Sequence, residues 1–87
     1  MTRKIRYRER VRALKCAICQ LMDLGETPAE THHALDGAAH SDYLLIPLCK
    51  EHHSGATGFH GLGQRAFEMR YNTTEANLLA WVNEKLA

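Results

Sequence analysis

A chain of 87 residues with a formal net charge of +1 and only three cysteines makes one domain, and a domain this small buries only about 60% of the surface its unfolded chain exposes. Its core alone is marginal, so a structural staple is expected. Complete disulfide pairing is excluded by the odd cysteine count, no apolar run resembles a secretory signal, and none approaches the roughly 20 apolar residues that span a bilayer; a cytoplasmic chain with reduced thiols, no membrane partner and zinc as the staple is expected.

The first element is strongly charged. Residues 1–15 carry Arg3, Lys4, Arg6, Arg8, Arg10, Arg12 and Lys15 against Glu9, a balance of +6, whereas residues 16–87 carry four basic and nine acidic groups, a balance of −5. This divides the chain into a basic N-terminal arm, residues 1–15, and a domain, residues 16–87. A polyanion is the natural partner of the arm, because each basic side chain that neutralises a phosphate releases counterions. Arginine alternating with Ile5, Tyr7, Glu9 and Val11 suits a segment that orders, as strand or helix, on meeting that partner; the alternative is the solvated face of an ordinary first helix.

Arg8 to Lys15 is expected as a short helix leading into the Cys16-Ala17-Ile18-Cys19 turn, followed by a loop from Gln20 to Pro28 with Gly25 and Pro28 as breakers. Ala29 to Leu35 reads as a short strand, Asp36-Gly37 as a turn, and Ser41 to Leu48, with Tyr43, Leu44, Leu45 and Ile46, as a second β-prone run. Together they predict a two-stranded ribbon. Lys50 to Ser54 forms a turn, Gly55, Gly58, Gly61 and Gly63 make a flexible stretch, and Gln64 to Tyr71 returns to a helical composition. Asn72 or Thr74 then caps a last helix, with Glu75 near the positive end of its dipole. Leu78, Leu79, Val82 and Leu86 fall on one face of that helix with Trp81 at the edge, a stripe read as core.

The chemistry lies in two short pairs, Cys16-x-x-Cys19 and Cys49-x-x-His52, which use all three cysteines. A two-residue gap lets both side chains of a tight turn reach one ion, so two such pairs close the tetrahedral shell of a structural zinc site. Twenty-nine residues separate the pairs, so what is folded between them is more than a connector. That segment carries His32-His33, and His53 follows directly on the last zinc donor. Adjacent side chains on a strand point to opposite faces, so one of His32 and His33 can face a metal and the other a substrate or water. His60, among glycines, either completes a three-histidine site, the preferred reading, or contacts a phosphate. His40 has no patterned partner and reads as a solvated histidine.

These residues resemble the HNH endonucleases, whose ββα-metal site holds a catalytic divalent ion and is often braced by a zinc knuckle. The matching pieces are Glu30-Thr31-His32-His33, the lead into Leu48-Cys49-Lys50-Glu51-His52-His53, and Cys16-x-x-Cys19. The resemblance implies an α+β fold, a small zinc-braced ββα-metal domain with flanking helices. It also implies that His32 is a ligand, His33 the general base and His53 a second ligand. The segment Ser41-Asp42-Tyr43-Leu44-Leu45-Ile46-Pro47-Leu48-Cys49 and the later Gly58-Phe59-His60-Gly61 are similar to the phage recombination-enhancement (Ref) nucleases, a RecA-dependent HNH-type group, over roughly residues 16–71. One departure stands out: the middle asparagine usual to HNH proteins is absent, with Tyr43, Leu44 and Leu45 in its place. The departure bears on the orientation of His33 and removes neither ligand nor base.

The resemblance implies metal-dependent hydrolysis of a DNA phosphodiester, with His33 taking a proton from the attacking water. Its setting would be the cytoplasm of a bacterial or phage-infected cell, and a RecA-type recombinase filament would be a partner. Imidazole ligands suit Zn2+, Ni2+ or Mn2+, and a site with open positions also admits Mg2+. The arm, with Arg65 and Arg70, would hold the DNA backbone and so read little sequence. Two other classes remain: a non-catalytic zinc-knuckle module that binds nucleic acid, and an adaptor for a recombinase filament. An HNH-type site nicks one strand, so a double-strand break would need two encounters or a dimer.

Overall fold

Two short runs, Glu30–His33 and Leu45–Leu48, pair as antiparallel strands β1 and β2, with His32 opposite Ile46 and His33 opposite Leu45. The computed structural model that contains them describes residues 3–34 and 43–87, with side chains from residue 6 onward. The expected Asp36-Gly37 turn, the beginning of the Ser41–Leu48 run and the solvated histidine at position 40 lie outside the described residues. β2 is buried along its whole length. Period-two alternation sends Leu45 to one side, with Val11 and Val82, and sends Ile46 and Leu48 to the other, with Ile18, Phe67 and Leu78. Such a strand is the wall between two small cores. Pro47, which has no N–H to offer a ladder, is tolerated because the sheet has only two strands among the described residues.

Helices cover both sides of this wall. α1 (Arg3–Ala13) and α6 (Glu75–Leu86) close the smaller core, in which Tyr7, Leu14, Trp81 and Leu86 pack around Val11, Leu45 and Val82. Tyr7, Val11 and Leu14 recur at i, i+4 and i+7, one helical face. The basic segment is therefore helical within the chain itself, docked by that stripe. Its arginines flank the stripe, Arg8 and Arg12 on one side and Arg6 and Arg10 on the other. All four are exposed, and Arg10 donates to the Leu86 carbonyl at 3.2 Å.

The larger core is built on α2 (Ala17–Leu21), α3 (Lys50–Ser54), α4 (Phe59–Leu62) and α5 (Gln64–Tyr71). The expected turn at Lys50–Ser54 is a helical segment, and the glycine-rich stretch contains α4, which the glycines had hidden. Those glycines permit close packing: a Cβ at Gly58 would run into the backbone of Glu51 and His52. Gly63, with φ 86°, makes the joint between α4 and α5. Glu51 ties the same loop down, accepting from the Thr57 amide at 2.9 Å and the Thr57 hydroxyl at 2.7 Å. Those two bonds favour its ionised form and hold its carboxyl below the usual range. α6 begins at Thr74, whose hydroxyl accepts from the Asn77 amide at 3.0 Å, so Thr74 and not Asn72 is the cap. Asn72 ends α5 in the left-handed conformation.

Phe67 is the largest fully buried side chain of this core and stacks between Phe59 and Tyr71, with ring centroids 5.3 and 4.9 Å away. Phe67→Ala should lower the stability of the folded protein by about 3–5 kcal/mol in denaturant unfolding. A loss under about 1 kcal/mol would mean that this stack does not hold α4 and α5 in place.

Candidate metal centres

Four buried donors converge where α2 meets the start of α3. Cys16 caps α2, its sulfur accepting from the Cys19 amide at 3.4 Å, and Cys49 caps α3. One turn on, His52 points its Nδ1 at all three sulfurs, at 3.6 Å from Cys16, 3.5 Å from Cys19 and 3.2 Å from Cys49; Cys19 and Cys49 sulfurs are 3.9 Å apart. A tetrahedron with Zn–S bonds of about 2.3 Å and Zn–N bonds of about 2.0–2.1 Å has edges of about 3.6–3.8 Å. The observed separations bracket those edges. This group can bind a metal ion such as zinc.

The protein groups alone disfavour a thiolate here: burial pushes the Cys16 thiol up to about 12, because an ionised sulfur would lose its hydration. A cation among the sulfurs reverses that preference, since coordinated thiols are deprotonated outright. Burial likewise lowers the pKa of His52, opposed by nearby Glu51 and reinforced by Arg70. The neutral imidazole is the form that coordinates.

A second group lies beside the first. His32 on β1, His53 on α3 and His60 on α4 bring one donor nitrogen each within 4.8 Å of one another. Their ring centroids are 5.5 Å (His32 to His53), 5.4 Å (His32 to His60) and 4.9 Å (His53 to His60) apart. His32 is buried, half-buried His53 forms one edge, and exposed His60 opens the group to solvent. Phe59, 4.2 Å from the His32 ring, supports the inner side. Burial lowers the pKa of His32 against the opposing pull of Glu75. His33 stands exposed on the opposite face of β1, as strand alternation requires.

Of the basic residues expected to hold DNA, Arg8 and Arg12 line a cleft of about 430 Å³ together with Glu30, Thr31 and His53. The cleft runs from α1 to His53, one edge of the histidine group. Lys15 follows α1 in a left-handed conformation, φ 69°. Arg65 lies in a separate surface hollow with Glu68, Asn72 and Thr74. Arg70 stands near His52 and 5.8 Å over the Tyr71 ring, on the side of the cysteine group. Arg3 and Lys4 begin α1, and their side chains lie outside the described set.

Two acidic partners were not foreseen from sequence. Glu75 Oε2 is 2.7 Å from His32 Nε2, and Glu30 Oε1 is 2.9 Å from His53 Nδ1. The β1 spacing that makes His32 point inward carries no sign of Glu75, which is 43 residues away. No helix among the described residues is long and apolar enough to cross a membrane. A family model for recombination enhancement, RecA-dependent nuclease, matches residues 2–87. No curated protein and no solved structure matches the chain significantly.

Proposed function

The chain belongs to the recombination enhancement, RecA-dependent nuclease family, and from that premise we propose that it is a metal-dependent DNA endonuclease of the HNH type. In this reading Cys16, Cys19, Cys49 and His52 hold a structural zinc ion, while His32, His53 and His60 hold the catalytic divalent cation. The observation that carries it is the convergence of those three histidines beside the cysteine group, with the Arg8 and Arg12 cleft reaching His53 at their edge. A module that merely grips nucleic acid has use for the cleft and the knuckle but none for a second, partly open imidazole cluster.

The donor set fits a catalytic ion: three imidazoles leave coordination positions for water and phosphate. When bound, that cation supplies neutralisation of the charge that develops on the phosphate and its leaving oxygen. The chain's own groups do the rest. His33, exposed on β1, takes the proton from the attacking water. An imidazole can both accept and release a proton under cellular conditions, which suits that task. Arg8 and Arg12, one helical turn apart, grip backbone phosphates along the cleft, and Arg6, Arg10, Lys15, Arg65 and Arg70 with Arg3 and Lys4 extend the electrostatic footprint. Contacts of this kind position the duplex and leave sequence unread.

Cleavage of duplex DNA and of recombinase-coated DNA, followed over a series of divalent ions, tests the reading. Metal-dependent cutting that rises with the filament is expected. No cutting under either condition would sink it in favour of a binding module or filament adaptor. The cleft makes a further prediction: Arg12→Ala should weaken DNA binding at low salt and reduce the slope of log affinity against log salt by about 1. An unchanged slope would remove Arg12 from the phosphate contacts.

A further inference from the structure

His32 and His53 each have one ring nitrogen committed to a carboxylate. His32 Nε2 meets Glu75 Oε2 at 2.7 Å, both residues being 3% exposed, and His53 Nδ1 meets Glu30 Oε1 at 2.9 Å. A nitrogen that donates its proton to a carboxylate has no lone pair to give an ion. The neutral ring then carries its lone pair on the other nitrogen, Nδ1 in His32 and Nε2 in His53.

Glu75 is itself held at several points. Its other oxygen lies 3.4 Å from Gln64 Nε2, and its amide donates to Glu68 Oε2 at 2.9 Å, with Gln64 Nε2 also 3.4 Å from that Glu68 oxygen. The carboxylate is thus fixed by the first turns of both α5 and α6 before it meets the imidazole. A buried polar pair of this kind is a poor stabiliser, since apolar side chains of similar volume do as well or better. What it does supply is direction.

We infer that Glu75 is a positioning residue for the histidine cluster, fixing the tautomer and ring orientation of His32 so that Nδ1 is offered to a cation, with Glu30 doing the same for His53 Nε2. The inference rests on the reading of that cluster as the catalytic cation site. A carboxylate behind a ligating imidazole also raises the basicity of the ligand, and its removal typically costs about 10- to 100-fold in metal affinity.

The test uses the full chain with its cysteine group loaded with zinc, and has two readouts. Long-range 1H–15N NMR of the histidine rings reports the tautomers: His32 is expected protonated at Nε2 and His53 at Nδ1. Finding His32 protonated at Nδ1 in the wild-type chain overturns the inference. Calorimetric Mn2+ binding supplies the second readout. Glu75→Ala should weaken binding about 10- to 100-fold, and Glu75→Gln, whose amide oxygen still accepts from Nε2–H, should restore most of the loss. Equal loss in both variants, or no loss in either, overturns the inference. Should Glu75→Ala fail to fold, Glu30→Ala at an exposed position carries the comparison, with a smaller loss expected and unchanged affinity counting against the proposal. Absence of any second Mn2+ site in the wild-type chain is a different result: it removes the cation-site reading itself.

Discussion

Cys49→Ser is expected to unfold the protein. The two small cores of a chain of 87 residues leave it only marginally stable by themselves, on the order of 5 kcal/mol, whereas a structural zinc site contributes apparent binding free energies of about 10–16 kcal/mol at neutral pH. The ion would therefore hold more than the core holds. The geometry explains why the core cannot compensate: Cys16, Cys19 and Cys49 are themselves members of its larger half, beside Ile18, Phe67 and Leu78. Losing the ion leaves sulfurs and an imidazole buried without the cation that reconciles them. Circular dichroism should show loss of helix for Cys49→Ser, and for the wild-type chain after strong chelation, with recovery on adding zinc. A chelated chain that keeps its spectrum and melts cooperatively would show that the cysteine group is not the staple.

His33→Ala is expected to leave the fold intact and abolish most cleavage. The side chain is exposed on β1 and lies outside both groups of converging donors, so its removal opens no cavity and takes away no ligand. Loss of a general base typically costs about 10²- to 10⁴-fold in rate. Single-turnover cleavage should fall by that factor while DNA affinity and metal content stay at wild-type levels. Wild-type cleavage by this variant would dismiss His33 as the base. A fall in metal content alongside activity would instead make it a ligand.

Much of this was written locally in the chain. Cys16-x-x-Cys19 and Cys49-x-x-His52 declare themselves because each pair sits within one turn of backbone. The fold brings the two pairs together. The histidine group was legible in part: alternation along β1 separates His32 from His33 without any knowledge of tertiary structure, and His53 follows the Cys49-x-x-His52 pair by one residue. His60 was harder to read, since Gly58, Gly61 and Gly63 lower helix propensity and disguise α4. Tight packing against α3 then fixes that segment, an effect propensity cannot express. The docking of α1 was obscured by its arginines, though Tyr7, Val11 and Leu14 carry the helical stripe. Glu75 was read only as a favourable charge at a helix start. Its approach to His32 is a product of tertiary packing that no local pattern encodes.

His52 and His53 are neighbours on α3, yet one turns to the cysteines and the other to His32 and His60. On the proposed reading this imposes a loading sequence. Until the first ion ties Cys49 and His52 to Cys16 and Cys19, α3 would lack that anchor and His53 a fixed address, so the working ion would be captured best by a chain that already holds its brace. A cell short of zinc would then make an unassembled polypeptide, with no half-active cutter as an intermediate. For the proposed endonuclease, that dependence would be a safeguard supplied by a single peptide bond between two histidines.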